Sequence, residues 1–328
     1  MPKLAVLPVL GLLLALGCTS VVITPTATPS PRGAPDPAAG WESMAEMPTP
    51  RTGVGVGSVA GKIYAIGGLD SVGRTLDVVE EYDPSTDRWR TVAPIPRPLH
   101  HLAVATVEGR LYVIGGIQGR RSELSDGVYA YDPTRDRWET RAPMPVARGA
   151  LVAVVLDDAI YALGGIDSEG ISPRTEVYDP STDRWSAKLD MPTPRSHLGA
   201  VAIGPKIYAV GGRGEGQTIG LGVLEVFDPP SNRWVSGPDL PTPRAGAAAV
   251  AGGNVLFVLG GEDINKAYSV IEGYDVNGGR WLTLDPLSSP RHGLGAVVVE
   301  SRLYVIGGGL APGLSVSDTV ESMPFRFL

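Results

Sequence analysis

Hydrophobic and polar residues alternate along most of this chain in short runs that are typical of β-strands. Small and apolar side chains alternate over residues 54–59, which predicts a first strand, and Lys62–Ile66 predicts a second strand that stops at a Gly-Gly pair. A polar loop leads to a third strand over residues 78–82, and after a turn rich in Asp and Pro, Trp89 opens a fourth. Four short strands joined by turns predict one antiparallel sheet.

The same unit returns along the chain with a period close to fifty residues. Tryptophans recur at intervals of 47 to 49 residues, at Trp41, Trp89, Trp138, Trp185, Trp234 and Trp281. Gly-Gly pairs keep the same period, at residues 67–68, 115–116, 164–165, 211–212, 260–261 and 307–308. Such a period indicates one supersecondary unit that is copied around a ring or along an array. Six radial sheets make a β-propeller, so we predict an all-β, six-bladed propeller of four-stranded antiparallel blades over residues 41–328.

The two ends of the array predict how the ring closes. Trp41 is a fourth-strand residue that comes before any first strand, and the last unit ends with a third strand over residues 320–323 and no tryptophan after it. We therefore expect the N-terminal strand to complete the last blade. This arrangement would tie the ring together without a covalent link.

Composition argues against several kinds of chemistry. The formal net charge of −7 argues against nucleic acid as a partner, because phosphate backbones need a basic face. No Ser-His-Asp signature, phosphate-binding loop or zinc-ligand spacing occurs in the sequence. We predict no cofactor and no metal.

The first forty residues differ from the repeat array. Lys3 precedes an apolar run that ends at Cys18 and is too short to span a bilayer, which is typical of a secretory signal. The residues before Cys18 (Ala-Leu-Gly) resemble a bacterial lipobox. We expect a lipoprotein signal peptide over residues 1–17, lipid attachment at Cys18, and a Thr/Pro/Ala-rich tether over residues 18–40. The chain would then be exported and lipid-anchored to the bacterial cell envelope; an ordinary cleaved signal or an uncleaved anchor are the alternatives.

The repeat resembles a known family. A Gly-Gly pair, a Tyr-Asp-Pro sequence such as residues 82–84, and a following Trp resemble the kelch repeat, and the resemblance extends over the whole array. It implies a six-bladed kelch propeller. It does not imply one function, because that family includes adaptor domains, carbohydrate enzymes and binding proteins.

Arginines occupy the start of the first strand in five of the six units. Sixteen residues before each Gly-Gly pair lie Arg51, Arg148, Arg195, Arg244 and Arg291, with Leu99 in blade two. A ring of guanidinium groups at the channel mouth would attract a carboxylate, sulfate or phosphate. A Glu stands two residues before the Tyr of each Tyr-Asp position in the same five blades, at Glu80, Glu176, Glu225, Glu272 and Glu321, and Tyr129 replaces it in blade two. The alternative is therefore a structural Arg–Glu pair within each blade.

All four histidines fall in the same segment of the repeat. His100 and His101 lie in blade two, His197 in blade four and His292 in blade six, so we expect them around the channel mouth about 120° apart in the ring. We expect them to be too far apart to converge on a metal ion, and turn packing or ligand contact are the alternatives. Arg213, directly after a Gly-Gly pair, is the loop charge best placed to reach the pocket.

These observations favour a non-catalytic binding or protein-interaction module. Its ligand face would lie at the starts of the first strands and hold an acidic glycan, a peptide or a protein partner, with membrane contact through the lipid anchor only. The alternative is a carbohydrate-active enzyme resembling N-acetylneuraminate epimerase (mutarotase), since opening a cyclic hemiacetal needs only a positioned acid and base. A purely structural or adhesive scaffold is a third possibility.

Overall fold

The computed structural model describes residues 40–119, 123–216 and 220–325 of the chain. Every regular element in these ranges is a β-strand, and no helix there is long and apolar enough to cross a membrane. The expected signal segment 1–17, the lipidation site Cys18 and the tether up to residue 39 lie outside the described residues.

Six four-stranded antiparallel sheets, or blades, stand in a ring, which confirms the predicted propeller. The first, innermost strands are Gly55–Val59, Ala103–Val107, Val152–Leu156, Gly199–Ile203, Ala248–Gly252 and Gly295–Val299. The second strands are Lys62–Ile66, Arg110–Ile114, Ala159–Leu163, Lys206–Val210, Val255–Leu259 and Arg302–Ile306. The third strands are Val79–Asp83, Val128–Asp132, Thr175–Asp179, Leu224–Asp228, Ile271–Asp275 and Val320–Pro324. The fourth strands are Arg88–Val92, Arg137–Arg141, Arg184–Ala187, Arg233–Ser236, Arg280–Leu284 and, in blade six, Glu42–Ser43.

The N-terminal strand completes blade six, as the sequence predicted. Glu42 pairs with Ser322 and Ser43 with Glu321 in antiparallel register. Trp41 is 5% exposed and its indole Nε1–H donates a hydrogen bond to the carbonyl oxygen of Pro286 in blade five (2.9 Å). The N-terminal segment therefore closes the ring without a covalent link, by strand pairing within blade six and by a hydrogen bond to blade five.

The hydrophobic core is divided among the blade interfaces. Six clusters of buried apolar side chains are present in the described residues, and each joins one pair of neighbouring blades. Between blades one and two, for example, Tyr64 and Ile66 pack in the same cluster as Leu111 and Val113. Since the apolar stacking runs all around the ring, the polar mouth is held on a rigid scaffold.

Each tryptophan also connects its own blade to the one before it. In blade two, Trp138 donates from Nε1 to the carbonyl oxygen of Ala93 (2.9 Å), and Asp136 accepts a hydrogen bond from the backbone N–H of the same residue (2.8 Å). Blade five keeps the indole bond, to Pro238 (2.9 Å), but the residue two before its Trp is Gly279. A proline has no N–H to donate, so the missing carboxylate leaves no group unsatisfied.

The Gly-Gly pairs lie where one blade meets the first strand of the next. Gly67 and Gly68 have φ of 60° and 104°, and a Cβ on Gly67 would lie 2.3 Å from the carbonyl oxygen of Leu99. The N–H of Gly68 donates to that same carbonyl (2.9 Å). Only glycine combines this backbone conformation with so close an approach.

Candidate functional site

The five arginines at the starts of the first strands are buried and paired. Each is 0% exposed, and each guanidinium contacts the Glu of its own blade; the N–O distance is 2.9 Å from Arg51 to Glu80, 2.6 Å from Arg148 to Glu176 and 3.0 Å from Arg195 to Glu225. Arg244 and Arg291 contact Glu272 and Glu321 in the same way. The arrangement is the structural pair that the sequence offered as an alternative. None of these five arginines has exposed surface at the mouth. Ligand binding by them stays a prediction.

These pairs hold their blades together from within. Arg195 also donates from Nη2 to the carbonyl oxygen of Ala209 on the second strand (3.1 Å), and Glu225 accepts from the hydroxyl of Thr193 (2.7 Å). Burial lowers the pKa of Arg195 to about 10, with the Glu225 carboxylate acting in the opposite direction, so the guanidinium keeps its charge at neutral pH. Each pair thus connects the start of a first strand to the second and third strands of its blade.

Blade two replaces this pair by an apolar one. Leu99 and Tyr129 are 0% and 6% exposed and pack in one cluster. The tyrosine fits because residue 127 is glycine: a Cβ there would lie 2.8 Å from the Tyr129 hydroxyl oxygen. The equivalent residue in blade four is Val223. The loss of charge in blade two is therefore compensated by packing at three positions.

Two residues after each arginine position, the backbone forms a closed ring around the propeller axis. Each N–H donates to the carbonyl oxygen of the equivalent residue in the preceding blade, with N–O distances of 2.8–2.9 Å. All six residues have φ between 50° and 63°. They are Gly53, His101, Ala150, His197, Gly246 and Gly293.

The two histidines of this ring occupy a conformation that favours glycine. A left-handed backbone costs a residue with a side chain about 1 kcal/mol or more, and glycine avoids this cost. Gly53, Gly246 and Gly293 make the same backbone hydrogen bonds with no side chain at all. The imidazoles of His101 and His197 are therefore not needed to form the ring.

The histidines come closer together than the sequence suggested. The ring centroids of His101 and His197 lie 5.1 Å apart in an edge-to-face arrangement, so the two side chains meet over the axis. This contact does not bear on their expected angular spacing of about 120°, because the hydrogen-bonded backbone ring brings residues of different blades close together. The Nδ1 atoms of His100 and His101 are 2.6 Å apart, and Nδ1 of His197 lies 3.0 Å from the hydroxyl oxygen of Ser196.

Arg213 lies at the mouth, beside a carboxylate that the sequence analysis did not single out as a site residue. Nη2 of Arg213 lies 3.2 Å from Oε1 of Glu262, and Oε2 of Glu262 lies 3.4 Å from Nδ1 of His292. Nε2 of His292 donates to the carbonyl oxygen of Ala311 (2.9 Å). Glu262 directly follows the Gly-Gly pair of blade five, as Arg213 does in blade four. That shared position is the sequence signal that could have identified Glu262.

These side chains line a small cup at the propeller axis. Its volume is about 240 Å³, and it is lined by Thr52, Leu69, His101, His197, Arg213, Gly246, Glu262, His292, Gly293, Gly313 and Leu314. The polar lining comes from blades one, two, four, five and six, so no single repeat contains the site. Of the predicted site residues, His101, His197, His292 and Arg213 meet here, whereas the five arginines lie behind the surface.

Burial keeps the central imidazoles neutral. Burial lowers the pKa of His197 to about 4, with smaller contributions from nearby Arg213 and the other histidines, and it holds the pKa of His101 well below its usual range. Burial also lowers the pKa of His100 to about 4. At neutral pH these rings act as hydrogen-bonding groups with one donor and one acceptor each.

Another concave surface lies away from the cup. A larger groove of about 680 Å³ lies between the loops of blades one and two, lined by Val72, Arg74, Thr75, Pro98, Gln118, Gly119 and Glu123. It contains none of the predicted site residues. Within residues 40–119, 123–216 and 220–325, no group of three or more His, Cys, Asp or Glu side chains is arranged to hold a metal ion.

Comparison with known families agrees with the architecture. The kelch motif matches residues 50–96, 98–145 and 147–192, and the KLHDC2/KLHL20/DRC7 Kelch-repeats domain matches residues 174–308. The repeats and the six closed blades define a kelch β-propeller, and the chain belongs to the kelch-repeat family.

One solved structure similar to this chain is described as "Structure of YjhT". It is 20% identical, with a TM-score of 0.73, and the match covers 84% of this chain and 95% of that one. At this identity the likeness shows the fold alone. The comparison with curated proteins found no match. Because 929 chains of solved structures match, the fold is widely shared and does not by itself indicate a function.

Proposed function

We propose that the chain is a non-catalytic binding module of the bacterial cell envelope, and that its ligand or partner binds on the face that carries the axial cup. Kelch propellers generally bind protein partners. The observation that carries the proposal is the cup itself, where His101, His197, Arg213, Glu262 and His292 from four blades converge on one cavity. A concave site with a few convergent polar groups on a rigid scaffold is the usual form of a binding site.

The predicted partners remain an acidic glycan, a peptide or a protein. The expectation of an acidic ligand relied mainly on the five arginines, whose charges are matched by five glutamates within the blades. Among the predicted site arginines, Arg213 alone is partly exposed, with 32% of its side chain accessible. The charge of the ligand is therefore set by the cup and not by these five arginines.

The binding proposal is tested with the chain and envelope extracts. A pull-down with the wild-type protein is compared with one that uses Arg213→Ala/His197→Gly, which alters the cup and keeps the paired arginines intact. We expect specific partners or glycans to be recovered with the wild type and lost with the variant. Equal recovery by both proteins would place the binding site elsewhere on the propeller.

Localisation is a further part of the proposal, supported by the signal-like segment and by Cys18. Labelled palmitate should be incorporated into the wild type and not into Cys18→Ser, and the variant should move from the membrane fraction to the soluble fraction. Label in Cys18→Ser would contradict lipid attachment at this residue.

One contact favours the enzymatic alternative. Glu262 lies 3.4 Å from His292 inside the cup, so a carboxylate and an imidazole stand close enough to act as an acid and base pair on a sugar hemiacetal. The resemblance to N-acetylneuraminate epimerase would then extend to activity. NMR of freshly dissolved N-acetylneuraminate should show accelerated anomer exchange that is lost in Glu262→Gln. No acceleration by the wild type would leave the binding module as the proposal.

A further inference from the structure

We infer that the axial cup is a site for an uncharged, hydroxyl-rich ligand of the size of one sugar ring. This inference deepens the proposed function and relies on the cup being the binding site. It runs against the sequence-based expectation of an acidic ligand, and it comes from the charges, size and lining of the cup.

The charges inside the cup cancel. Arg213 is the one guanidinium among the described lining residues, and its Nη2 lies 3.2 Å from the Glu262 carboxylate. Glu262 also accepts a hydrogen bond from the backbone N–H of Gly313 (3.3 Å) and faces His292. A ligand carboxylate placed against Arg213 would therefore meet the Glu262 carboxylate as well, and the repulsion offsets the attraction.

The remaining polar groups suit hydroxyls. Nδ1 of each central imidazole already faces a neighbouring group, His100 for His101 and Ser196 for His197. Each neutral ring therefore offers Nε2 to a ligand, as one donor or one acceptor, and a hydroxyl group can pair with either. The Arg213 side chain is 32% exposed. An uncharged acceptor such as a sugar oxygen, placed against its exposed part, adds no negative charge beside Glu262.

Size and apolar lining point the same way. About 240 Å³ is below the roughly 300–1,000 Å³ of sites for drug-sized ligands, so the cup fits one ring or one side chain. Leu69 and Leu314 line it, and Leu314 is 54% exposed. A sugar ring presents hydroxyl edges and an apolar C–H face, which match a cup with both kinds of lining.

The experiment compares matched neutral and acidic sugars at pH 8, where imidazole is neutral in its ordinary range. Isothermal titration of the chain uses galactose against galacturonate and glucose against glucuronate, which differ only at C6. We expect at least one neutral sugar to bind about tenfold or more tightly than its acid. Glu262→Gln leaves Arg213 without its carboxylate, so the preference should reverse. In Arg213→Gln/Glu262→Gln both charges are absent, and the neutral sugar should still be preferred.

Variants of the backbone ring test whether the imidazoles contact the ligand. His197→Gly introduces the residue that three other blades have at the equivalent position, so the backbone ring should be preserved. We expect this variant to bind the neutral sugar about tenfold more weakly. Ala150→Gly makes the matched change at a position outside the cup and should leave affinity unchanged. Equal affinity of His197→Gly and the wild type would overturn the role of the imidazole.

The outcomes separate this inference from the proposed function. A wild-type preference for the acid, or no change of preference in Glu262→Gln, overturns the charge argument while leaving the binding module intact. No binding of any sugar overturns the inference of a sugar-sized ligand, and the envelope pull-down then decides the proposed function independently.

Discussion

Transplanting the apolar arrangement of blade two into blade four tests why the arginines are present. Arg195→Leu alone leaves the Glu225 carboxylate buried at 2% exposure without its guanidinium. The graft Arg195→Leu/Val223→Gly/Glu225→Tyr instead reproduces all three residues found in blade two. Val223 has to be changed because a Cβ at the equivalent residue of blade two would lie 2.8 Å from the tyrosine hydroxyl oxygen.

The burial of the pair sets the expected magnitudes. Breaking a buried ion pair from one side costs about 3–5 kcal/mol, because an uncompensated charge remains in the interior. Replacing the whole pair by well-packed apolar groups is often neutral or stabilising by about 1–4 kcal/mol. The new glycine removes part of the gain, since glycine within or beside a strand costs about 0.5–1 kcal/mol. We therefore expect Arg195→Leu to lose about 3–5 kcal/mol of unfolding free energy and the graft to recover most of it.

The assay is equilibrium unfolding in urea, followed by tryptophan fluorescence, with the midpoint and the slope measured for each variant. Val223→Gly alone is the control for the backbone effect. If the graft is as unstable as Arg195→Leu, the compensation seen in blade two is not transferable and the pairing argument fails. If Arg195→Leu unfolds like the wild type, the ion pair contributes nothing to stability and the arginine would have to be retained for another reason.

Three other predictions follow from the fold and the site. Trp138→Phe should lower the unfolding free energy by about 1 kcal/mol beyond its packing loss, measured by urea unfolding, because the hydrogen bond to Ala93 disappears. A loss no larger than the packing loss would refute this prediction. Deleting residues 40–46 should lower the thermal midpoint by many degrees, because the outer strand of blade six and Trp41 are lost; an unchanged midpoint would mean that the clasp is unnecessary. Stability should fall as the pH is lowered from about 6.5 to about 4, because unfolded histidine binds a proton in this range and half-buried His197 in the folded protein does not; His197→Gly should remove about 1–3 kcal/mol of this loss, measured by urea unfolding at each pH.

Much of the fold could be predicted from sequence because the strand patterns, Gly-Gly pairs and tryptophans that form each blade recur in every repeat. Trp41 at one end and the unpaired third strand at the other predicted the closure of the ring, which depends only on the order of the strands. The Arg–Glu pairs could be suspected because Leu99 and Tyr129 replace both partners in the same blade. Gly127 could not be understood in this way, since its role depends on where the tyrosine hydroxyl points.

The candidate site was less predictable because its contacts cross between blades. The position after the Gly-Gly pair identified Arg213, but its pairing with Glu262 depends on the distance between neighbouring blades at the mouth. The meeting of His101 and His197 depends on the radius of the backbone ring, which the spacing of repeats along the chain does not determine. A period predicts which residues are equivalent, and only the folded ring determines which of them touch.

Departures from the repeat therefore fall into two kinds, and the difference bears on function. In blade two the loss of the arginine is matched by Tyr129 and Gly127, so packing is restored and no further explanation is needed. The histidines of the backbone ring have no such compensation: glycine makes the same hydrogen bonds at three equivalent positions and suits the left-handed backbone better. His101 and His197 thus carry a cost that the fold does not require, and both point into the same cup. Because the backbone ring forms without these side chains and both of them line the cup, these two histidines, rather than the regular arginines, should be mutated first in any search for the ligand.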